Sequence, residues 1–144
     1  MALQSADYMS FLNDDSEIPT DVSFKVFERN GEEDQSEVKF KIFRGHKLLL
    51  SVASPVFRRQ FFGSLPEKAD PILVEDTTCE AFNIMIEFIY KKVEHFNFTC
   101  KTFAGLFEVR NISEKYQIAA LVTKVEQEIA CRQLSRGNLI EAAE

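Results

Sequence analysis

The side chains that could do covalent or metal chemistry are few and widely separated in this sequence. Its two histidines and three cysteines form no C-x-x-C or H-E-x-x-H pattern of the kind that places ligands on one metal ion. Its five glycines are isolated, and neither a phosphate-binding loop nor a G-x-S-x-G nucleophile elbow is present. We therefore expect no catalytic residue, no metal and no cofactor. His46 lies between an expected strand and an apolar helix, where we expect a hydrogen-bonded structural residue.

Composition and charge favour one folded domain that binds neither nucleic acid nor a membrane. The 144 residues are 45% hydrophobic, which is enough to build a core. Residues 1–37 carry ten acidic and two basic side chains, and the remainder carries thirteen and fifteen, so no basic excess is available for binding phosphates. No apolar run approaches the ~20 residues of a membrane-spanning helix, and the opening residues lack the features of a signal peptide. Three cysteines cannot all pair, so we expect reduced thiols and a cytoplasmic and/or nuclear location.

Hydrophobic spacing predicts an α+β chain in which helices are segregated from a small sheet. Apolar residues alternate with polar ones at 22–26 and 38–42, which is typical of half-buried strands joined by a long acidic hairpin loop. A short buried strand is expected at 72–74. The expected helices cover 5–13 with Ser5 as the cap, 46–53, 55–62 with Ser54 as the cap and Gly63 as the stop, about three turns from Thr78, the region 103–109, 118–129, and a last helix beginning at Asn138.

Three short stretches give the sequence a specific resemblance to a known family. D-V-S-F at 21–24, H-K-L-L at 46–49 and S-P-V-F at 54–57 look like the BTB/POZ signature. The similarity continues through 61–67, 72–75, 80–90 and 114–122, and so extends over about residues 20–130. The resemblance implies the BTB/POZ fold at 19–131, a helical cluster capped by a three-stranded sheet. It also implies a non-enzymatic module that binds other proteins and usually forms homodimers.

The resemblance assigns the residues before the first strand, 1–18, to dimerisation. Tyr8, Phe11 and Leu12 fall on one face of the first expected helix, and in the family such a helix often packs on the partner subunit. The alternative is that this helix folds back on its own subunit or is disordered. Asp21 and Lys47 match positions near the dimer-interface pocket of the family, although as a pair they fit ordinary surface charges equally well.

The resemblance also implies binding to the N-terminal region of cullin-3, the scaffold of a class of RING E3 ubiquitin ligases. Many BTB adaptors carry an apolar-x-Glu motif between the second short helix and the third strand, and here that position is occupied by Leu65-Pro66-Glu67. The leucine would fill an apolar pocket, and the glutamate would accept a charge-assisted hydrogen bond. The alternative is a loop in which Leu65 tucks under its own core. The expected cullin-binding residues are Phe62, Leu65, Glu67, Tyr116 and Gln117.

The end of the sequence favours one class of BTB protein over another. Residues 132–144 resemble the start of the three-box and BACK helical region that follows the domain in many cullin adaptors. Such an adaptor recruits its substrate protein through regions outside this chain. The alternative is a dimerisation or partner-peptide-binding domain of a transcriptional regulator or cytoskeletal scaffold that does not bind cullin. An enzyme would require a convergent polar cluster, for which the sequence offers no candidate.

Overall fold

A computed structural model of the chain describes residues 8–12, 18–28, 39–91, 96–100 and 102–142. Its helices and strands form an α+β layout, as predicted. For residues 136–142 only the backbone is described. The chain passes in order through a 3₁₀ turn (Met9–Leu12), β1 (Val22–Phe27), β2 (Phe40–Gly45), α1 (Lys47–Ala53), α2 (Pro55–Phe62), β3 (Ile72–Val74), α3 (Cys79–Tyr90), α4 (Phe103–Lys115) and α5 (Ala119–Ala142).

The three strands form one sheet in the order β2-β1-β3. β1 pairs antiparallel with β2, and β3 runs parallel to β1, with Phe24 opposite Ile72. Every second residue of β1 is buried, namely Val22, Phe24 and Val26, as the period of two predicts for a strand with one face on the core.

The apolar alternation of β2 points away from the core, and the prediction that this strand buries it is wrong. Phe40 is 48% exposed and Ile42 is 46% exposed. The register explains this, because Ile42 lies opposite Lys25 and Phe40 opposite Phe27, both on the outer side of β1. The inward position is taken by Phe43, whose ring centroid lies 5.0 Å from that of Phe82 in α3. Pairing with β1 therefore decides which face of β2 is buried.

Local end signals set the helix boundaries. The Ser54 hydroxyl accepts a hydrogen bond from the Phe57 amide at 3.1 Å and donates to the Tyr116 carbonyl at 2.5 Å, so it caps α2 and ties it to the later helices. The Thr78 hydroxyl caps α3 in the same way by accepting from Ala81 N. A Cβ atom at Gly63 would lie 2.3 Å from the Arg59 carbonyl oxygen, so only glycine fits where α2 ends.

The core lies between the inner face of the sheet and the helices. An aromatic cluster joins Phe24 of β1 to Phe57 and Phe61 of α2 and to Phe82 of α3, with ring centroids 5.1–6.3 Å apart. α3 packs on α4, and α4 packs on α5. These contacts leave α3 buried on almost all sides, which accounts for its nearly continuous apolar sequence.

The two ends of the chain differ from the sequence prediction. Within residues 8–12 the structure has a 3₁₀ turn rather than part of an α-helix, and the expected cap, Ser5, lies outside the described residues. At the other end, α5 is unbroken from Ala119 to Ala142, so Asn138 does not begin a new helix. An N-cap requires extended backbone, and the backbone on both sides of Asn138 is helical. The predicted boundary between residues 131 and 132 therefore falls inside α5.

Candidate protein-interaction surface

The loop after α2 projects Leu65 into solvent. Leu65 is 92% exposed and Phe62, at the end of α2, is 60% exposed. The alternative that Leu65 tucks under its own core is therefore wrong. Glu67 anchors the loop, because its amide donates to the Gln60 carbonyl at 2.7 Å and its Oε1 accepts from Ala69 N at 3.1 Å. Leu65 is thus presented on a fixed loop that also carries a carboxylate, and Phe62 is exposed at the end of α2 just before it.

Tyr116 and Gln117 lie between α4 and α5 and differ in exposure. The Tyr116 side chain is buried and stacks on Phe57 of α2 with ring centroids 4.3 Å apart. Burial, together with a smaller effect of the nearby Asp76 carboxylate, raises the pKa of Tyr116 to about 12. Gln117 is exposed and has a φ of 55°, the left-handed conformation that turns the chain into α5. Tyr116 therefore supports the surface on which Gln117 is presented.

An open groove of about 470 Å³ lies between α2 and β3, beside Tyr116. Val56 and Leu73 contribute apolar walls, and Arg59 and Lys115 bring positive charge. Lys115 forms an ion pair with Asp76 at 2.6 Å. Sequence reasoning missed these residues, since they come from three separate elements that only the fold brings together.

Asp21 and Lys47 are brought together by the start of α1. The Asp21 carboxylate accepts from the backbone amide of Lys47 at 2.8 Å, and the Asp21 amide donates to the Gly45 carbonyl at 3.0 Å. A carboxylate at this position also interacts favourably with the positive end of the helix dipole. Asp21 thus fixes the junction between β1 and α1.

An exposed apolar stripe follows on α1. Leu48 and Val52, one helical turn apart, are both exposed, and Leu48 comes directly after Lys47. Sequence reasoning took this helix as a short apolar segment and did not separate its two faces. The signal that could have done so is its length, because a seven-residue helix buries only one side.

The three aromatic and aliphatic residues of the N-terminal segment contact their own subunit. Tyr8 and Leu12 pack against the core, and the Tyr8 amide donates to the Tyr90 carbonyl at 2.5 Å. Phe11 stacks on Tyr8 with ring centroids 5.9 Å apart. All three side chains remain half-buried, so they retain area that a partner subunit would cover. Their contact with a partner stays a prediction.

His46 is buried in a hydrogen-bond network, which confirms the structural role expected for it. Its Nε2 lies 3.1 Å from the Ile18 carbonyl, which can only accept, so Nε2 carries the proton. In the neutral imidazole Nδ1 then accepts from the Tyr90 hydroxyl at 2.9 Å, and that oxygen in turn accepts from the His46 amide at 2.8 Å. Burial raises the pKa of Tyr90 to about 12. His95 lies outside the described residues.

The described cysteines are free thiols, and two of them are buried. Burial raises the pKa of the Cys79 thiol, and it does the same for Cys100. The Cys79 thiol donates to the Val26 carbonyl at 3.3 Å, and Cys131 is exposed on α5. Across the described ranges, no three histidine, cysteine, aspartate or glutamate side chains are grouped as metal ligands would be. In the same ranges, none of the helices combines the length and apolar content that crossing a membrane requires.

Comparison with known proteins gives a consistent result. The family model for the BTB/POZ domain matches residues 31–133. The "BTB/POZ and MATH domain-containing protein 3" of Arabidopsis thaliana is 38% identical over 80 residues, which cover 55% of this chain and 17% of that protein. The mouse "TD and POZ domain-containing protein 3" is 32% identical over 95 residues, covering 65% of this chain and 25% of that protein.

The solved BTB domain of zebrafish PATZ1 has the same fold. It aligns with a TM-score of 0.54 over 77% of this chain and 75% of its own, at 16% identity. This chain spans a quarter or less of the length of the two curated relatives. The comparisons therefore concern one domain of those proteins.

Proposed function

Because this chain belongs to the BTB/POZ family, a family of protein-interaction domains, we propose that it is a homodimerising adaptor of a cullin-3 RING E3 ubiquitin ligase. In this proposal the domain binds the N-terminal region of cullin-3 in the cytoplasm and/or nucleus. Regions outside this chain recruit the substrate protein.

The observation that carries the cullin proposal is the exposure of Leu65 at its position in the family motif. Leu65 is 92% exposed on an anchored loop, so nearly its whole side chain can be buried by a partner. Full burial in an apolar pocket would contribute about 1.5–3 kcal/mol to the binding free energy. Phe62, which is 60% exposed at the end of α2, is the second apolar side chain assigned to this contact. The loop is held by its own hydrogen bonds before binding, so little ordering entropy is lost on association.

In this proposal Glu67 sets the orientation of the bound partner through a hydrogen bond. Its Oε1 is engaged by Ala69 N, which holds the carboxylate at the surface and leaves its second oxygen for a donor on cullin. Gln117 adds an exposed amide, and Tyr116 supports it from below. A binding hot spot usually has an apolar centre with polar groups around it, and in this proposal Leu65 and Phe62 supply the centre.

Homodimerisation is supported by the apolar surface near the N-terminus of α1. Leu48 and Val52 extend from the Asp21–Lys47 junction, and Tyr8, Phe11 and Leu12 keep half-exposed side chains. A twofold contact uses the same patch on both subunits, so a modest stripe is doubled in area.

Titration calorimetry with an N-terminal fragment of cullin-3 tests the proposal. We expect the Leu65→Ala/Glu67→Gln double variant to weaken binding by about 2 kcal/mol or more, roughly thirtyfold. Glutamine keeps an acceptor for Ala69 N and removes only the charge, so the loop stays folded. Leu134→Ala, which truncates another exposed leucine on α5, is the matched control and should bind as wild type. No binding by the wild type, or equal affinity of the double variant, would refute the cullin proposal.

A further inference from the structure

Ser64 lies inside the proposed cullin-binding loop, although the preceding proposal gives it no role. It stands between the exposed Phe62 and Leu65, and its own side chain is exposed. Its hydroxyl enters no hydrogen bond with any residue that the structure describes. The exposure is continuous after it, because all of residues 64–70 are exposed. A free hydroxyl on accessible backbone is the group to which a protein kinase transfers a phosphoryl group.

Ser64 also begins one of three S/T-x-x-E sequences in the chain, and the other two begin at Thr77 and Thr123. A carboxylate three residues after the hydroxyl is the feature that acidophilic kinases bind with basic side chains. The structure separates the three sequences, since Thr77 is only 4% exposed and Thr123 lies within α5. A buried or helical residue reaches a kinase cleft only after local unfolding. Of the three, only Ser64 is both exposed and outside every helix and strand.

The backbone presents Ser64 and the carboxylate of Glu67 together. α2 ends at Phe62, and Gly63 already has the extended backbone angles φ −75° and ψ −175°, so the chain leaves the helix before Ser64. Glu67 is exposed, and its Oε1 accepts from Ala69 N at 3.1 Å, which leaves the other oxygen for a basic group. Both groups that an acidophilic kinase requires are therefore accessible on one non-helical segment.

A phosphate on Ser64 would place negative charge where it opposes the contact proposed above. A phosphoserine carries about −1.5 to −2 charges at pH 7. It would adjoin Leu65, and burying that leucine in an apolar pocket would require the neighbouring phosphate to lose water. It would also follow the C-terminal end of α2, which is the negative end of the helix dipole, and precede Glu67 by three residues. Desolvation and like-charge repulsion thus act in the same direction.

We propose that Ser64 is a phosphorylation site for an acidophilic serine/threonine kinase, and that its phosphate switches off partner binding by the Leu65 loop. In the transfer the Ser64 oxygen bonds to the γ-phosphorus of ATP, and the bond from that phosphorus to the β,γ-bridging oxygen breaks. ADP leaves, and the hydroxyl proton passes to a base of the kinase. The switch rests on the proposed function, whereas the modification does not.

Treatment of the 144-residue chain with casein kinase 2 and ATP tests the modification without any partner. Mass spectrometry measures the rate of phosphorylation at Ser64, Thr77 and Thr123, and each rate is divided by that of a synthetic peptide with the same sequence. We expect a ratio of about one for Ser64 and a ratio at least about a hundredfold lower for Thr77, which local unfolding must first expose. An unmodified Ser64, or equal ratios at Ser64 and Thr77, would overturn the proposal.

Titration of the treated and untreated chains with the N-terminal fragment of cullin-3 tests the switch. We expect phosphorylation to weaken binding at least about tenfold. Ser64→Ala, treated in the same way, should bind as the untreated wild type does, whereas the control Thr123→Ala should lose affinity on treatment. Equal affinity of the phosphorylated and untreated chains would overturn the switch. A wild type that binds no cullin-3 in either state would refute the proposed function and the switch with it, while the mass measurement still decides the modification.

Discussion

Replacing Tyr90 with phenylalanine removes one oxygen from the centre of the His46 network. That oxygen accepts from the His46 amide at 2.8 Å and donates to His46 Nδ1 at 2.9 Å, and all three groups are buried. In the Tyr90→Phe variant a backbone donor and a ring acceptor lose this partner inside the core. Each unsatisfied buried group costs about 1–3 kcal/mol, so we expect the free energy of unfolding to fall by about 3 kcal/mol.

Urea denaturation at neutral pH, followed by circular dichroism, measures this loss directly, and the melting temperature should fall by about 6–12 °C for a chain of this size. Tyr116→Phe is the matched control, because it deletes the same atom from a buried ring whose hydroxyl enters no hydrogen bond between described residues. We expect the control to lose less than about 1 kcal/mol. Equal losses in the two variants would refute the assignment of the His46 network as a stabilising unit.

The remaining predictions concern alkaline pH and self-association. Burial raises the pKa of Tyr90 and of Tyr116 to about 12, whereas an unfolded tyrosine ionises near pH ~10. As the pH rises through this window the unfolded chain loses protons that the folded chain keeps, so the free energy of unfolding should decline by up to about 3 kcal/mol per tyrosine. Tyr116→Phe should make the decline of the denaturation midpoint shallower, and an unchanged slope would contradict this. At micromolar concentration the wild type should sediment as a dimer of the 16.5 kDa chain. Leu48→Asp should convert it to a monomer, because a twofold contact would bury two carboxylates. The control variant Leu134→Asp should remain a dimer. A wild type that sediments only as monomer would exclude the dimer.

Elements whose ends depend on local chemistry were predictable from the sequence. α2 has the predicted limits because Ser54, Pro55 and Gly63 act within one turn of the chain. α3 begins after Thr78 for the same reason. By contrast, the orientation of β2 depends on its pairing with β1, and a period of two says only that its faces differ. The sequence likewise does not predict that α5 continues past Asn138, because asparagine is tolerated inside helices as well as at their caps.

The same distinction, between local signals and contacts that only the fold creates, applies to the candidate site. The family motif located Leu65 and Glu67, but whether Leu65 faces solvent or the core depends on the anchoring of Glu67 to Gln60, a contact that residue types alone do not predict. Asp21 and Lys47 were expected at positions near a dimer-interface pocket, and the structure joins them through the Lys47 backbone amide, which donates to the Asp21 carboxylate. The exposure of Phe40 and Ile42 on the outer face of the sheet was missed because the alternation of β2 was assigned to the core.

Phenylalanines fill the core of this chain and also lie on the exposed sides of the same elements. Fourteen phenylalanines and no tryptophan supply apolar area without polar atoms that need partners. Phe24, Phe57 and Phe82 fill the core, so the sheet and α2 are rigid supports. Rings placed on the outside of the same elements, at Phe40 and Phe62, are therefore presented without a further entropic cost of ordering. In the proposed function, substitution of Phe62 should therefore weaken partner binding more than it weakens folding.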